Sequence, residues 1–257
     1  LNKMLSRTEK SRFRSLKQKK ERDLSGLFLV EGIKPVKEAL AADFPLERII
    51  ISEHVSQQEY RAIAEAADLQ NIAIVEATQF EIEQICSLKN PEGALAIAKI
   101  PPLQSSEQPI IFPALYLWQV NDPGNLGTIM RTALWFGVKT ILVSPESADI
   151  FSPKVVRSSM GAIFRLSLST EIGIQDLQKI LIRDAVTLIA ADITGTAKRP
   201  RTGYERLMLA FGSESHGLPS ELLTQATEVW RIGKYGYGES LNLAVAVGII
   251  LNEISKT

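Results

Sequence analysis

"QVNDPGNLGTIMRTALWFGVKTILVS", residues 119–144, contains the joint on which this chain's architecture turns. An apolar run, Ala114–Val120, stops at Asn121-Asp122-Pro123-Gly124-Asn125. A helix follows in which Leu126, Ile129, Met130, Ala133 and Leu134 form one stripe, the spacing of a buried helical face. Asn125 stands where a helix N-cap belongs, and Arg131 lies well off the stripe. Gly137 ends the helix where left-handed backbone is needed. A second strand is expected at 139–143. A plain strand-to-helix connection needs roughly two to six residues and no particular chemistry. This one offers two Asn, an Asp and a nearby Arg at the carboxyl end of a strand, where open α/β sheets bind ligands.

The same alternation continues in both directions. Downstream, strands are expected at 163–168, 186–191, 207–211 and 228–232, with helices at 126–136, 153–160, 174–183, 219–226 and 241–255. Upstream, strands at 27–30, 48–51, 72–75 and 94–99 alternate with helices at 33–42, 57–69 and 79–87. Between the two sets lies "IPPLQSSEQP", residues 100–109, whose prolines and polar residues read as a linker. The chain is therefore expected to be α/β with two domains. A basic arm (1–22) precedes a small domain (23–99). A linker (100–110) leads to a larger domain (111–257) built on an open parallel sheet.

Composition narrows the function classes. The 257 residues are 45% hydrophobic and 23% charged, an ordinary globular balance. No run of 18 apolar residues is present, so no membrane span or membrane partner is expected. The basic N-terminal stretch lacks the apolar core of a signal peptide. A single cysteine, Cys86, and two histidines leave no material for a disulfide, a CxxC motif or a zinc site, so no metal is expected. A reducing, cytoplasmic setting fits. Net charge is zero, but residues 1–22 hold nine Lys or Arg against Glu9 and Glu21. The segment is +7 (9 − 2) and the remainder −7. Two readings stay open: a solvated charged face, or an arm that contacts phosphates.

Two further loops share the character of the first. In "LAFGSESHGLPSELL" (209–223) an apolar strand ends at Gly212-Ser213-Glu214-Ser215-His216-Gly217 before a helix with Pro219 near its first turn. Small residues there let a ligand approach the main chain. In "RIGKYGYGESLNLAVAVGIILNEI" (231–254) three glycines precede Ser240, which is placed as an N-cap, and a helix apolar nearly all round, which implies burial. Asn242 falls in the first turn of that helix, where an unpartnered amide would cost about 1–3 kcal/mol. Neither a dinucleotide GxGxxG turn nor a P-loop is present. His54 and His216 lack the setting of a Ser-His-Asp triad, and His54 reads as a surface residue.

Taken together, "NDPGNLGTIMRTALWFG", "LAFGSESHGL" and "IGKYGYGESLNLAVAVGIIL" resemble the three ordered motifs of the SpoU family of RNA ribose 2′-O-methyltransferases, in the SPOUT class. "FLVEGIKPVKEAL" and "NPEGALAIAK" resemble its small substrate-binding domain of ribosomal-protein L30e type. The resemblance covers about residues 8–256. It implies an L30e-like N-terminal domain, a C-terminal SPOUT domain with a trefoil knot, S-adenosylmethionine as cofactor, and a homodimer. RNA is the implied partner, ribosomal RNA ahead of tRNA. Matched to the family's motifs, Asn125 and Arg131 stand at its catalytic Asn and Arg, Glu214 at the acid of the second motif, and Ser240 and Asn242 at the polar pair of the third. Gly212, Ile232 and Leu241 stand where the main chain contacts the cofactor. Gly233-Lys234 replaces a common Pro-Met, Ala244 a common Ser, and Ser215 a frequent Gly.

Moving a methyl group onto a ribose hydroxyl requires alignment of the two centres and removal of one proton. By residue type, the candidates for the proton are Glu214, His216 and Arg131. The resemblance places Arg131 at the hydroxyl, as base or as a positioning and charge-stabilising group. The rivals are a tRNA enzyme, a non-catalytic RNA-binding assembly factor on the same fold, and a generic nucleotide-binding enzyme. The missing glycine fingerprint counts against the last.

Overall fold

The computed structural model describes residues 5–197 and 203–256. In chain order the elements begin with α1 (Arg7–Ser15), α2 (Lys19–Ser25), β1 (Leu27–Glu31), α3 (Ile33–Ala41), β2 (Leu46–Ser52), α4 (Gln57–Leu69), β3 (Ile74–Ala77), α5 (Gln79–Ile85) and β4 (Ala94–Lys99). They continue with β5 (Ala114–Leu117), α6 (Pro123–Trp135), β6 (Thr140–Val143), α7 (Pro153–Ser158), β7 (Ser167–Ser169), α8 (Ile174–Arg183), β8 (Thr187–Thr196), β9 (Leu207–Phe211), α9 (Ser220–Gln225), β10 (Glu228–Trp230) and α10 (Leu243–Ser255). Two compact units result. One is the chain up to Pro102 together with Asp149–Arg165; the other is Leu103–Ala148 with the chain from Leu166 onward.

The first unit carries a four-stranded mixed sheet in the order β1-β4-β2-β3. β4 runs antiparallel to β1 and β2, and β2 runs parallel to β3. The basic segment is folded into this unit. Ser6 and Glu9 form a capping box that starts α1, while Leu5, Phe13 and Leu16 are buried beside Ile82, Ile85 and Cys86. Apolar residues hidden in a charged run thus dock α1, and buried Arg22 docks α2, where sequence patterning gives only an arm. Its charge is divided. Lys10 pairs with Glu81 at 2.9 Å, Arg12 with Glu47 at 3.1 Å, and buried Arg22 with Asp149. Arg7, Arg14, Lys19 and Lys20 are exposed and have no ion pair among the described residues.

Residues 149–165 complete the same unit. Phe151 packs on Phe28 and Phe164 on Phe44. Arg157 from α7 meets the buried Glu31 carboxylate, which also accepts from the Ser87 amide (2.6 Å) and hydroxyl (2.8 Å). The apolar run from residue 163 is not one strand: a 3-10 turn, Ala162–Phe164, precedes the short β7. Cys86 is buried, and burial pushes its thiol up to about 12. Among the described residues, no helix is long and apolar enough to cross a membrane, and no cluster of three potential metal ligands occurs.

The second unit is a six-stranded parallel sheet in the order β10-β8-β9-β5-β6-β7. Its core includes Tyr116, whose hydroxyl donates to the Ile172 carbonyl at 3.0 Å. The Pro-rich stretch has no regular structure, yet it is held in place. Gln104 donates to the Leu168 carbonyl, and Arg183 donates to the carbonyls of Ser106 and Gln108. From β5 the chain winds outward through β6 and β7, then returns to place β9 on β5's other side. The β5–β9 pair is therefore the topological switch point of the sheet.

Two outcomes follow from the docked N-terminal helices. Phe13→Ala should lower the unit's stability by about 3–5 kcal/mol in urea denaturation, whereas a merely solvated arm would leave it unchanged. The Glu9 carboxyl is held down at about 2 instead of 4.5, first by the Ser6 amide and hydroxyl and then by Arg48. Because its folded value is depressed, the stability it contributes is complete above about pH 4.5 and is lost as pH falls toward 2. Glu9→Gln should flatten that part of the acid denaturation profile.

Candidate active site

The switch point positions the first two loops. β5 and β9 pair in parallel with Leu117 opposite Phe211, and the Trp118 amide extends the ladder to the Phe211 carbonyl at 2.8 Å. Both chains leave the sheet at that end. After β5 the main chain bends at Gln119, a non-glycine residue at φ 49°, an uncommon left-handed conformation. The Ser144 and Ser147 hydroxyls accept from the Gln119 and Val120 amides at 2.8 and 3.2 Å and hold the bend. Helix α6 then starts earlier than its apolar stripe suggests. Asp122 is its N-cap, accepting from the Asn125 amide at 2.8 Å, with Pro123 at the first helical position. The Asp-Pro pair outranks Asn125 as a cap because proline suits the first turn and excludes itself elsewhere. Asn125 is thereby placed inside the first turn with its side-chain amide released.

The loop after β9 is tight. Ser213 and Gly217 form an isolated antiparallel bridge, and the Gly217 amide donates to the Ser213 carbonyl at 3.0 Å. Gly212 sits against this closure so closely that a Cβ there would lie 2.1 Å from the Gly217 carbonyl carbon. Only glycine fits. The turn presents Glu214 outward, with Ser215 and His216 also exposed.

The third loop ends at α10, and its cap is Asn242, not Ser240. The Asn242 Oδ1 accepts from the amides of Ala244 (3.0 Å) and Val245 (3.3 Å). Asn is at least as good a cap as Ser, and the helix begins at Leu243. Nor is α10 buried all round. Leu243, Ala244, Val247, Ile250 and Leu251 are buried, while Val245 is exposed, as are Asn242 and Leu241.

The three loops meet through side-chain amides. Asn242 Nδ2 donates to Asn125 Oδ1 at 3.0 Å, and Asn125 Nδ2 donates to Glu214 Oε1 at 2.5 Å. Residues 89 and 117 positions apart in sequence thus form one directed chain that ends on a carboxylate. Asn125 is half-buried and its two partners are exposed. Ser240 is exposed beside this chain and makes no hydrogen bond among the described residues. Ile232 is half-buried. From Ile232 to Leu241, no main-chain amide or carbonyl enters a hydrogen bond within the described residues.

Arg131 is not part of this group. It lies six residues beyond Asn125 on α6, about 9 Å along the axis and roughly 240° around it. It is exposed, with neither ion pair nor hydrogen bond among the described residues. Trp135, one turn on, is 85% exposed. His54 is exposed on the other unit, as its surface reading expects. Sequence reading passed over Asp122 as the cap, although the Asp-Pro-Gly signature marks it.

Residues 113–252 match the model of the SpoU rRNA Methylase family, and residues 11–96 match that of the MRM3-like substrate binding domain. An uncharacterized tRNA/rRNA methyltransferase of Synechocystis is 30% identical over 95% of this chain and 89% of its own length. The 23S rRNA (guanosine(2553)-2′-O)-methyltransferase RlmP of Bacillus subtilis is 27% identical over 93% of this chain and 92% of its own. The AdoMet-bound rRNA methyltransferase of Sinorhizobium meliloti superposes with a TM-score of 0.86 at 29% identity, covering 99% of this chain and 97% of that one. A putative RNA methyltransferase of the TrmH family from Porphyromonas gingivalis gives 0.85 at 31% identity, covering 98% of each chain. With the family model spanning more than half of the chain and these relatives covering nearly all of it, the protein belongs to the SpoU rRNA methylase family.

Proposed function

We propose that this protein transfers the methyl group of S-adenosylmethionine to a ribose 2′-hydroxyl of structured RNA, with ribosomal RNA ahead of tRNA. The observation that carries the reading is the Asn242–Asn125–Glu214 chain at the sheet's switch point, with the unengaged main chain of residues 232–241 beside it. The relatives named for RNA 2′-O-methylation and for bound AdoMet support the same chemistry.

The residues present fit the cofactor. An adenine edge needs a donor and an acceptor that a main chain free of ladder bonds supplies, and residues 232–241 are such a segment. Ile232, Leu241 and the Gly212 turn would hold it, with Ser240 and Asn242 at its polar end. When bound, S-adenosylmethionine supplies an electrophilic methyl group. The chain's own residues do the rest. Asn242 fixes the amide orientation of Asn125, and Asn125 fixes Glu214. Arg131 offers a planar cation that can engage the ribose and the adjacent phosphate, either as a positioning and charge-stabilising group or as the base that takes the hydroxyl's proton.

The separation of Arg131 from Asn125 along and around α6 supports a homodimeric site in which Arg131 serves the loops of a second copy. The exposed Trp135, Leu241 and Val245 supply apolar surface for that association. A trefoil knot in the C-terminal domain and a cytoplasmic location complete the proposal.

Variants at two positions test it. Arg131→Ala should cut methyl transfer to RNA by about 100-fold or more while calorimetry finds S-adenosylmethionine binding nearly unchanged. Arg131→Lys should restore little, since a point charge lacks the planar fork. Near wild-type turnover in the alanine variant would remove Arg131 from the mechanism and return Glu214 and His216 as candidates. Asn242→Asp keeps the α10 cap but loses the donor to Asn125, so turnover should fall while thermal stability holds. Asn242→Ala should lose both, with a stability cost of about 1 kcal/mol. Equal turnover in Asn242→Asp and wild type would make Asn242 a cap and nothing more.

A further inference from the structure

The loop before α10 also carries two aromatic rings that the fold leaves in solvent. Tyr235 is 102% exposed and Tyr237 is 109% exposed, beyond any other large hydrophobic residue described. Single exposed apolar residues are ordinary on a protein surface. Two in three positions, a few residues from the cap of a site helix, are not required by the fold, because neither ring adds to a core. Glycines set them apart from the rest of the loop. The Tyr235 ring lies over Gly233, whose Cβ would fall 3.3 Å from the tyrosine hydroxyl oxygen and 3.4 Å from ring carbons. Gly236 and Gly238 flank Tyr237, and a Cβ on either would meet nothing within 4 Å. Arg231 and Lys234 add exposed cations without ion pairs among the described residues, against a single exposed acid, Glu239.

Aromatic faces interleaved with cations are the combination that binds unpaired nucleotides, because every base has a face to stack and every nucleotide has a phosphate to meet. We infer that Tyr235 and Tyr237 are stacking platforms for unpaired bases next to the target ribose. The inference rests on the proposed function and narrows its substrate: the nucleotides at the site are splayed or single-stranded. Bases stacked inside an A-form helix have no free face to offer these rings. The loop thus serves twice, with its main chain toward the cofactor and its tyrosines toward RNA.

The test reads base-dependent binding without turnover, so it stands apart from the assays of methyl transfer and cofactor binding. The probes are a 12-nucleotide oligo(A) and an abasic oligonucleotide of equal length and charge, titrated by fluorescence anisotropy against the full chain. Wild type should bind oligo(A) about tenfold or more tighter than the abasic strand. Tyr235→Ala/Tyr237→Ala should lose that difference and keep the abasic affinity with its salt dependence. Tyr235→Phe/Tyr237→Phe should restore it, because the ring and not the hydroxyl stacks. Equal wild-type affinity for the two strands, unchanged oligo(A) binding in the alanine pair, or failure of the phenylalanine pair would each overturn the inference. So would sedimentation showing that the alanine pair dissociates a dimer while base-dependent binding survives, since the rings would then cover a second copy of the chain.

Discussion

The parallel pairing of β5 with β9 is the constraint on which the site depends. β5 opens the second unit's sheet, and β9 arrives only after the chain has built β6, β7 and β8. Once Leu117 lies opposite Phe211, the loops leaving the two strands start side by side. Everything polar at the site uses that adjacency. Asn125 and Glu214 can share a hydrogen bond because the register brings them to one edge, and α10 then adds Asn242. A slip of one residue between β5 and β9 would turn alternate side chains to the opposite face of the sheet, and because every residue of both strands is buried it would disturb the packing on both faces.

The polar chain has a direction, and caps give it one. A carboxamide has a donor end and an acceptor end. The α10 amides take the acceptor end of Asn242, so its NH2 group is the part that faces Asn125. Asn125 must then accept from Asn242 and donate to Glu214. Reversing the Asn125 amide would break two bonds at once, and reversing that of Asn242 three. Helix capping, an ordinary structural task, therefore orients the side chains of the site. Asp122 does the same at α6: by capping the helix it frees Asn125 from that role.

Much of this was legible in the sequence, for physical reasons that differ by element. The bounds of α4 and α8 follow from apolar periodicity alone and agree with the structure to the residue. The six parallel strands were readable because strand and helix patterns alternate. Helix α1 was hidden because nine cations mask the three apolar positions that anchor it, although Ser6 and Glu9 spell a capping box, and α2 was hidden because its one buried residue is Arg22. Asn125, Glu214 and Asn242, which the structure joins by hydrogen bonds, lie in three motifs that could be singled out, but their arrangement could not. The Asn125–Glu214 contact spans 89 residues, and local patterning carries nothing about partners so distant. The exposure of Val245 was likewise invisible, since an apolar helix reads as buried whether or not the chain itself covers every face.

The packing of residues 149–165 within the first unit sets the order in which that unit can be completed. The chain passes from one unit to the other after Pro102, after Ala148 and again after Arg165. On a ribosome, the first unit's strands are complete by Lys99, yet buried Arg22 has no carboxylate until Asp149 emerges and Glu31 has no guanidinium until Arg157 does. Phe28 and Phe44 wait for Phe151 and Phe164 in the same way. A fragment cut at the Pro-rich stretch would keep all four strands and still hold two charges without their ion-pair partners, each at a desolvation cost. The small unit is thus finished by a segment of its own that follows β6 in the chain, and it is not a module that can be excised at residue 102.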